Sequence, residues 1–434
     1  MNNPAVQSRA ASVPLTSNQK RAFWAAWGGW TMDGMDSFIF SLVLVPALRD
    51  VLPDSGIPAT TANVGYYSGL LFALFMVGWG VALVWGPIAD RFGRARTLMF
   101  SILWFSLFTL LAALCKNVWS LALVRFLAGV GIGGEWAIGA SLVSEEWPEQ
   151  RRVWGACLMH TGYYIGFIFA AIANYFIGSE YGWRYMFVVG GVPAILVAFF
   201  YNRLHEPPRW KNRREEGGIV AMHHAFFRLF TSQYRRRTIL NSLYLLASIV
   251  GLWAGSVYVP SAITYLSERA GQSALVGARL ASYSTGILGI GTVIGAVIMP
   301  VLAKRLDRRI VLGIFFALML IFLWLAFGYA FYLQNNAITW FLVFTFFLGL
   351  GGANFAVYSF WLPEQYPTEC RVSAFAFTTN AGRFGGAGLT FLVGAMIRHY
   401  GTLGTPVALT SLAFVVGLAL LPFGFETRGK SLPA

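Results

Sequence analysis

Two aspartates, Asp33 and Asp36, interrupt the stretch GGWTMDGMDSFIFSLVLVPAL, an otherwise apolar run long enough to cross a bilayer. A carboxylate at mid-membrane costs at least about 2.5 kcal/mol, so it is retained where it handles ions, protons or a ligand. The i,i+3 spacing puts both carboxyl groups on about the same helix face. Two such groups close together titrate as a unit and can hold one proton between them. Three more ionisable side chains fall in apolar segments: Arg125, Glu135 and Arg383.

Depth suggests how they pair. At 1.5 Å per residue, a first helix running outward from residue 22 places Asp33 about 16 Å and Asp36 about 21 Å from the inner boundary. A fourth helix running inward from residue 118 places Arg125 about 10 Å from the outer boundary. In a core of about 30 Å, Asp36 and Arg125 share a height, and pairing would relieve both charges. Asp36 is therefore the first candidate for a proton site. Asp33, one turn deeper, either couples to it or only hydrogen-bonds Trp30, a backbone group or water. Glu135 serves as a relay below Asp33 or joins a cluster at the cytoplasmic end of its helix. The corresponding part of the seventh helix, Gly251 to Ser256, has no carboxylate, which confines proton handling to the first half.

Arg383 suits a different task. It lies about 17 Å into a helix starting near residue 372, without an obvious intramembrane acid on its own half. A planar guanidinium fork matches a carboxylate, so Arg383 is a candidate clamp for an organic anion. Asn380, one turn earlier, and Asn354 can add hydrogen bonds, and Tyr163, Tyr164, Tyr258 and Trp361 are candidate lining residues. His160, near the start of the fifth helix, is expected at the membrane interface. Pro260 is expected to break the seventh helix beside the cavity.

The elements that must hold these residues follow from composition. Of 434 residues, 57% are hydrophobic and only 12% charged, about half the charge of a soluble protein. Windows of about 20 apolar residues predict twelve helices near 22–48, 65–88, 97–115, 118–146, 153–178, 183–203, 239–267, 277–303, 310–333, 338–362, 372–398 and 405–425. The class is an all-α polytopic membrane protein. With the N-terminus inside, cytoplasmic segments hold 24 of the 32 Lys and Arg, and outer segments hold Arg49, Lys116, Arg184, Arg269, Arg279 and Arg398. That bias places both termini in the cytoplasm and accounts for the formal charge of +14 without nucleic acid. The polar first twenty residues contain no apolar signal core. Cys115, Cys157 and Cys370 show no metal-ligand spacing and read as free thiols. No Gly-rich phosphate loop or nucleophile–His–acid grouping points to an enzyme. No cofactor or metal is expected, with protons as the coupling ion.

The chain repeats itself. GIGGEWAIGASLVSEEWPEQRR and GLGGANFAVYSFWLPEQYPTECR match at an offset of about 218 residues, bringing Gly133 and Gly134 opposite Gly351 and Gly352, and Glu146 opposite Glu364. PIADRFGRAR has a degenerate partner in VLAKRLDRR, and HEPPRW faces FETRGK. The expected organisation is a six-helix half over 1–203, a basic cytoplasmic linker over 204–238, and a second six-helix half over 239–434. The linker reads as a solvated strap, with MHHAFFRLF able to form a short surface helix. Parallel repeats put a substrate site at their interface near the midplane, with one half rocking against the other. Gly129 and Gly133 form a GxxxG pattern suited to close helix packing.

With these motifs the sequence resembles the major facilitator superfamily over nearly its whole length. GPIADRFGRAR (Gly86, Asp90, Arg91, Gly93, Arg94, Arg96) is similar to the signature between helices 2 and 3, and RFLAGVGIGG from Arg125 to that of helix 4. DGMD resembles the aromatic-acid:proton symporters, GGEW…SEEWP the sialate:proton symporters, and HEPPRW with ETRGK sugar-porter-like relatives. In proton-coupled sugar porters a helix 1 Asp likewise pairs with this helix 4 Arg. The resemblance implies a cytoplasmic latch. In it Asp90 accepts from a helix N-terminus, Arg94 or Arg96 meets Glu145 or Glu146, and Arg152 extends the network. Arg305 or Arg309, Glu364 and Arg371 form its counterpart. The alternative is that these are interfacial charges obeying the positive-inside rule. The function expected is proton-coupled symport of a small organic acid by alternating access, by a monomer in the plasma (inner) membrane. A carrier of a neutral sugar or polyol, a drug exporter and a membrane sensor are the alternatives.

Overall fold

The computed structural model describes residues 14–85, 94–136, 139–140, 143, 147–148, 151–201, 226–367, 370–430 and 433. Among these the chain is all-helical and forms twelve long segments. In the first half these are α1 (Ser17–Val51), α2 (Thr61–Val81), α3 (Arg94–Ala112), α4 (Val118–Ile132), α5 (Arg152–Tyr181) and α6 (Trp183–Tyr201). In the second they are α7 (Arg235–Arg269), α8 (Ala274–Arg305), α9 (Arg308–Tyr332), α10 (Ala337–Gln365), α11 (Arg371–Tyr400) and α12 (Gly404–Phe423). Polar caps start several of them, satisfying amides that would otherwise face an apolar surface. Thr16 and Gln19 form a capping box on α1, and Thr60, Asn117 and Ser273 cap α2, α4 and α8.

The halves have the same internal plan. α1 packs on α5 and α6 while α7 packs on α11 and α12, and α2 meets α4 as α8 meets α10. Across the seam, α2 lies along α11 and α5 along α8, the pairing a two-fold relation between the halves produces. Close approach fixes the register of the repeat. A Cβ on Gly129 would collide with the Phe75 carbonyl of α2, and one on Gly349 with the Leu288 carbonyl of α8. Gly131 is pressed against Phe105 of α3, and Gly351 against Met319 of α9. Packing therefore sets Gly129 opposite Gly349 and Gly131 opposite Gly351, an offset of 220. The offset of 218 read from the glycine pairs is two residues short, because backbone contact, not letter identity, fixes which glycine must be small.

Several helices are irregular. α4 is regular only to Ile132, not to 146, and a turn at Gly133–Gly134 precedes the helical Glu135 and Trp136. α7 is α-helical to Ile249, π-helical over Val250–Gly255 and 3-10 over Ser256–Tyr258, and it restarts at Val259. Pro260 sits in the first turn of the restart, where its missing N–H is harmless, so the break precedes the proline and does not come from it. The described end of the linker touches the second half on one face: Phe226 and Phe230, both exposed, lie 5.5 and 5.1 Å from Phe377 of α11, and Leu229 is buried, while Phe227 stays exposed. All three cysteines are free and buried.

Candidate functional site

Asp36 and Arg125 meet in the centre of the first half. Arg125 Nη1 donates to Asp36 Oδ1 at 3.4 Å and Nη2 to Oδ2 at 3.3 Å, and both side chains are 0% exposed. Thr109 Oγ1 on α3 donates to Asp36 Oδ1 at 2.8 Å. The guanidinium lies over Phe40, Phe75 and Phe187 at 4.4, 4.8 and 5.6 Å. Within this aromatic shell each charge is answered by the other.

Asp33 is different. It is fully buried, and neither carboxylate oxygen has a hydrogen-bond partner among the described residues. Trp30 Nε1 is equally without one, so the Trp30–Asp33 bond of the alternative reading is not made. Glu135, 4% exposed, also has two partnerless oxygens. Asp33 lies within electrostatic reach of Glu135, Asp36 and Arg383. The backbone brings α1 and the end of α4 together here. Trp30 and Trp136, one turn before Asp33 and one residue after Glu135, stack at 5.6 Å. Buried polar atoms are nearly always paired, so five unpaired ones in one region are a cue for a ligand or proton.

Arg383 on α11 is 3% exposed and crosses the seam, its guanidinium 4.0 Å from the Trp79 ring of α2. One Nη donates to the Thr379 carbonyl at 3.3 Å, and Nε has no partner among the described residues. Asn354 donates to the Gly351 carbonyl at 3.0 Å and leaves Oδ1 free, and Tyr258 leaves its hydroxyl unpaired. Asn380 donates to the Ala376 carbonyl of its own helix. Tyr163 stacks on Trp30 at 4.7 Å, and the Tyr164 hydroxyl reaches across the seam to the Gly352 carbonyl at 3.1 Å.

Two positions differ from expectation. His160 is not interfacial. It lies about two turns into α5, 1% exposed, between Trp30, Trp136 and Tyr164, with Nδ1 3.5 Å from Ser359 of α10. Trp361 does not line the centre, because its indole donates to the Phe425 carbonyl at 3.0 Å beside Tyr244.

Of the latch residues, Gly86, Asp90, Arg91 and Glu146, and the side chains of Arg94 and Arg371, lie outside the described residues. Arg152 is described, at the start of α5. In the second half Glu364 is held by Arg308, with Nε and Nη2 at 3.0 and 2.9 Å, and not by Arg305 or Arg309. Arg308 opens α9 and faces α10, whereas Arg309 turns 100° away to Glu426, 3.7 Å off. Thr427 completes the clasp with a 2.6 Å bond to Glu364. On the outer face two ion pairs bridge the halves. Arg49 binds Glu268 through 2.6 and 3.0 Å bonds, and Arg279 binds Glu180 at 2.7 Å.

Thr109, Trp79, Trp136 and Arg308 escaped sequence reading. Of these only Trp136 carried a signal, since GEWA sets an indole beside the intramembrane acid Glu135.

The Major Facilitator Superfamily profile matches residues 27–387. The chain is 30% identical over 425 residues to a probable 4-methylmuconolactone transporter of Cupriavidus pinatubonensis, covering 95% of this chain and 92% of the relative. It is 24% identical to the sialic acid transporter NanX of Escherichia coli, covering 95% of both chains. A partially occluded, inward-open structure of the xylose transporter XylE from E. coli superposes with a TM-score of 0.75 at 18% identity, over 96% of this chain and all of that one.

Proposed function

Because the chain belongs to the Major Facilitator Superfamily and is an integral membrane transport protein, not an enzyme, we propose that it carries a small organic acid together with protons by alternating access. One observation carries the reading. At the seam of the two halves, the partnerless buried carboxylate of Asp33 stands within reach of Arg383, which has no acid bonded to it among the described residues. Arg383 offers the planar fork a carboxylate needs, on a Trp79 platform supplied by the other half. Asn354 and Tyr258 offer unused hydrogen-bonding atoms on the same half. The relatives named for a muconolactone and for sialic acid support an organic acid as cargo. A neutral sugar would make no use of the planar fork of Arg383.

Each chain holds both halves, so a monomer suffices. The basic bias of its loops supports both termini on the cytoplasmic side of the inner membrane. The test is uptake of a panel of mono- and dicarboxylates, sugars and cationic drugs into proteoliposomes, with and without an inward pH gradient. The expected result is accumulation of one or more carboxylates driven by the gradient. Uptake of sugars alone, or of acids with no response to the gradient, would sink the proposal.

A further inference from the structure

Among the described residues, the buried charges Asp33, Asp36, Arg125, Glu135 and Arg383 do not form one network. Asp36 and Arg125 neutralise each other, and Thr109 supplies a further bond to Asp36. Among the described residues Asp33 and Glu135 have no such partner, and the remaining cation within reach of Asp33 is Arg383. The groups facing Asp33 come from every neighbouring element. Asp36 is on its own helix, Glu135 follows α4, the Tyr163 phenol comes from α5 and Arg383 comes from α11, while the His160 ring of α5 packs on Trp30. Glu135 faces Asp33 and Asp33 faces Arg383, and two such bare carboxylates with one arginine reach neutrality only by holding one proton between them.

We infer that Asp33 and Glu135 form a single proton-storing pair with Arg383 as its counter-charge, and that Asp36–Arg125 is a closed ion pair that positions α1 against α4. This moves the proton away from Asp36, the first candidate from sequence. It rests on the transport reading above for its consequence, which is a stoichiometry. With one proton on the pair, the pair carries one negative charge and Arg383 one positive charge. A monocarboxylate that takes over Arg383 strips the pair of its counter-charge, and one further proton from the aqueous side restores neutrality. One proton then enters per single negative charge, and the loaded centre is again uncharged. A dicarboxylate needs two compensating charges and exceeds what the pair accepts.

The decisive measurement needs no substrate. Infrared spectra of the purified full chain in H2O and D2O should contain, at neutral pH, the carbonyl band of a protonated buried carboxyl group. Glu135→Gln and Asp33→Asn should each remove or displace that band, because each breaks the shared site, and Asp36→Asn should leave it in place. Arg383→Gln should strengthen it at the same pH, since loss of the cation favours a second proton. Absence of the band in the unmodified chain, its loss in Asp36→Asn alone, or indifference to Arg383→Gln would each overturn the inference. The wild-type spectrum decides the first point even if a variant fails to fold. For any monocarboxylate the reconstituted chain carries, uptake should be insensitive to an imposed membrane potential, and potential-driven uptake counts against the stoichiometry. A chain that carries no carboxylate but keeps the band refutes the transport reading and leaves the proton pair standing.

Discussion

At matched positions of the repeat the two halves share backbone and differ in charge. Arg125 on α4 corresponds at the packing offset to Thr345 on α10, which is fully buried and spends its hydroxyl on the Phe341 carbonyl. Glu135 corresponds to Phe355, and Tyr163 on α5 to Arg383 on α11. The α1 turn with Asp33 and Asp36 lies opposite the π-helical and 3-10 stretch of α7, where Ser256 bonds the Gly251 carbonyl at 3.1 Å. The first half thus holds Asp33 and Asp36 in a regular helix, with Glu135 just past the turn that ends α4. The second holds one buried cation at the seam and an irregular helix. A duplicated scaffold with Asp33 and Glu135 on one side and Arg383 on the other separates them whenever the halves move apart. Under the proposed function, that separation is what couples the proton to the anion.

The largest effect is expected where the first half differs most. Arg125→Met leaves Asp36 buried with only Thr109, and breaking a buried pair in this way costs about 3–5 kcal/mol. Asp36→Leu combined with Arg125→Met removes both charges and should recover most of that loss in thermal unfolding of the purified chain. A double variant no more stable than Arg125→Met alone would mean that the pair is not a closed unit.

Next comes the position where the second half departs from the first. Arg383→Tyr installs the residue of the matching position in α5, so folding should survive while carboxylate uptake falls by about tenfold or more. Arg383→Lys keeps the charge but not the fork and should also raise the half-saturating concentration, by about tenfold. Normal uptake by Arg383→Tyr would remove the residue from the substrate path and erase the functional meaning of the asymmetry.

Much of this was legible in the sequence, and the reasons differ by residue. The twelve segments follow from apolar length, and the shared height of Asp36 and Arg125 follows from counting 1.5 Å steps along straight helices. Counting failed where helices are not straight. The turn at Gly133–Gly134 and the π-helical stretch of α7 leave no periodic signature, so neither the end of α4 nor the break before Pro260 could be read. Side-chain direction was the second blind spot. Arg308 and Arg309 are adjacent letters, yet a 100° turn sends one to Glu364 and the other to Glu426. His160 was misplaced because a polar residue near a helix start looks interfacial until three aromatic rings close over it.

A smaller effect is expected on the outer face, where Arg49–Glu268 and Arg279–Glu180 tie the halves together. These side chains are 37–48% exposed, so each pair contributes at most about 1 kcal/mol to stability and is screened by salt. The expected signature is therefore in rate and not in melting. Arg49→Glu should change the rate of substrate exchange across proteoliposomes, and Glu268→Arg in the same chain should restore it. A rate unmoved by Arg49→Glu would show that this pair does not hold the outer side shut.

The smallest effect concerns the inner clasp of the second half, and it asks whether the first half has one too. Glu426, just past α12, is pushed up by burial. Hydrogen bonds from the backbone amides of Arg428, Arg308, Arg309 and Thr427 outweigh that and hold its carboxyl below the ordinary value. The folded chain thus favours the charged form, and the unfolded chain binds a proton more readily. The clasp's contribution is present above the unfolded value and is lost as pH falls through the folded one. Melting temperatures of wild type and Glu426→Gln should differ at neutral pH and converge on acidification. At the same offset of 220 the first half carries Glu206, in the HEPPRW segment outside the described residues. If the clasp is a property of the repeat, Glu206→Gln should reproduce the convergence. If Glu206→Gln melts like wild type at every pH while Glu426→Gln does not, the clasp belongs to the second half alone, and the inner ends of the halves differ as much as their centres do.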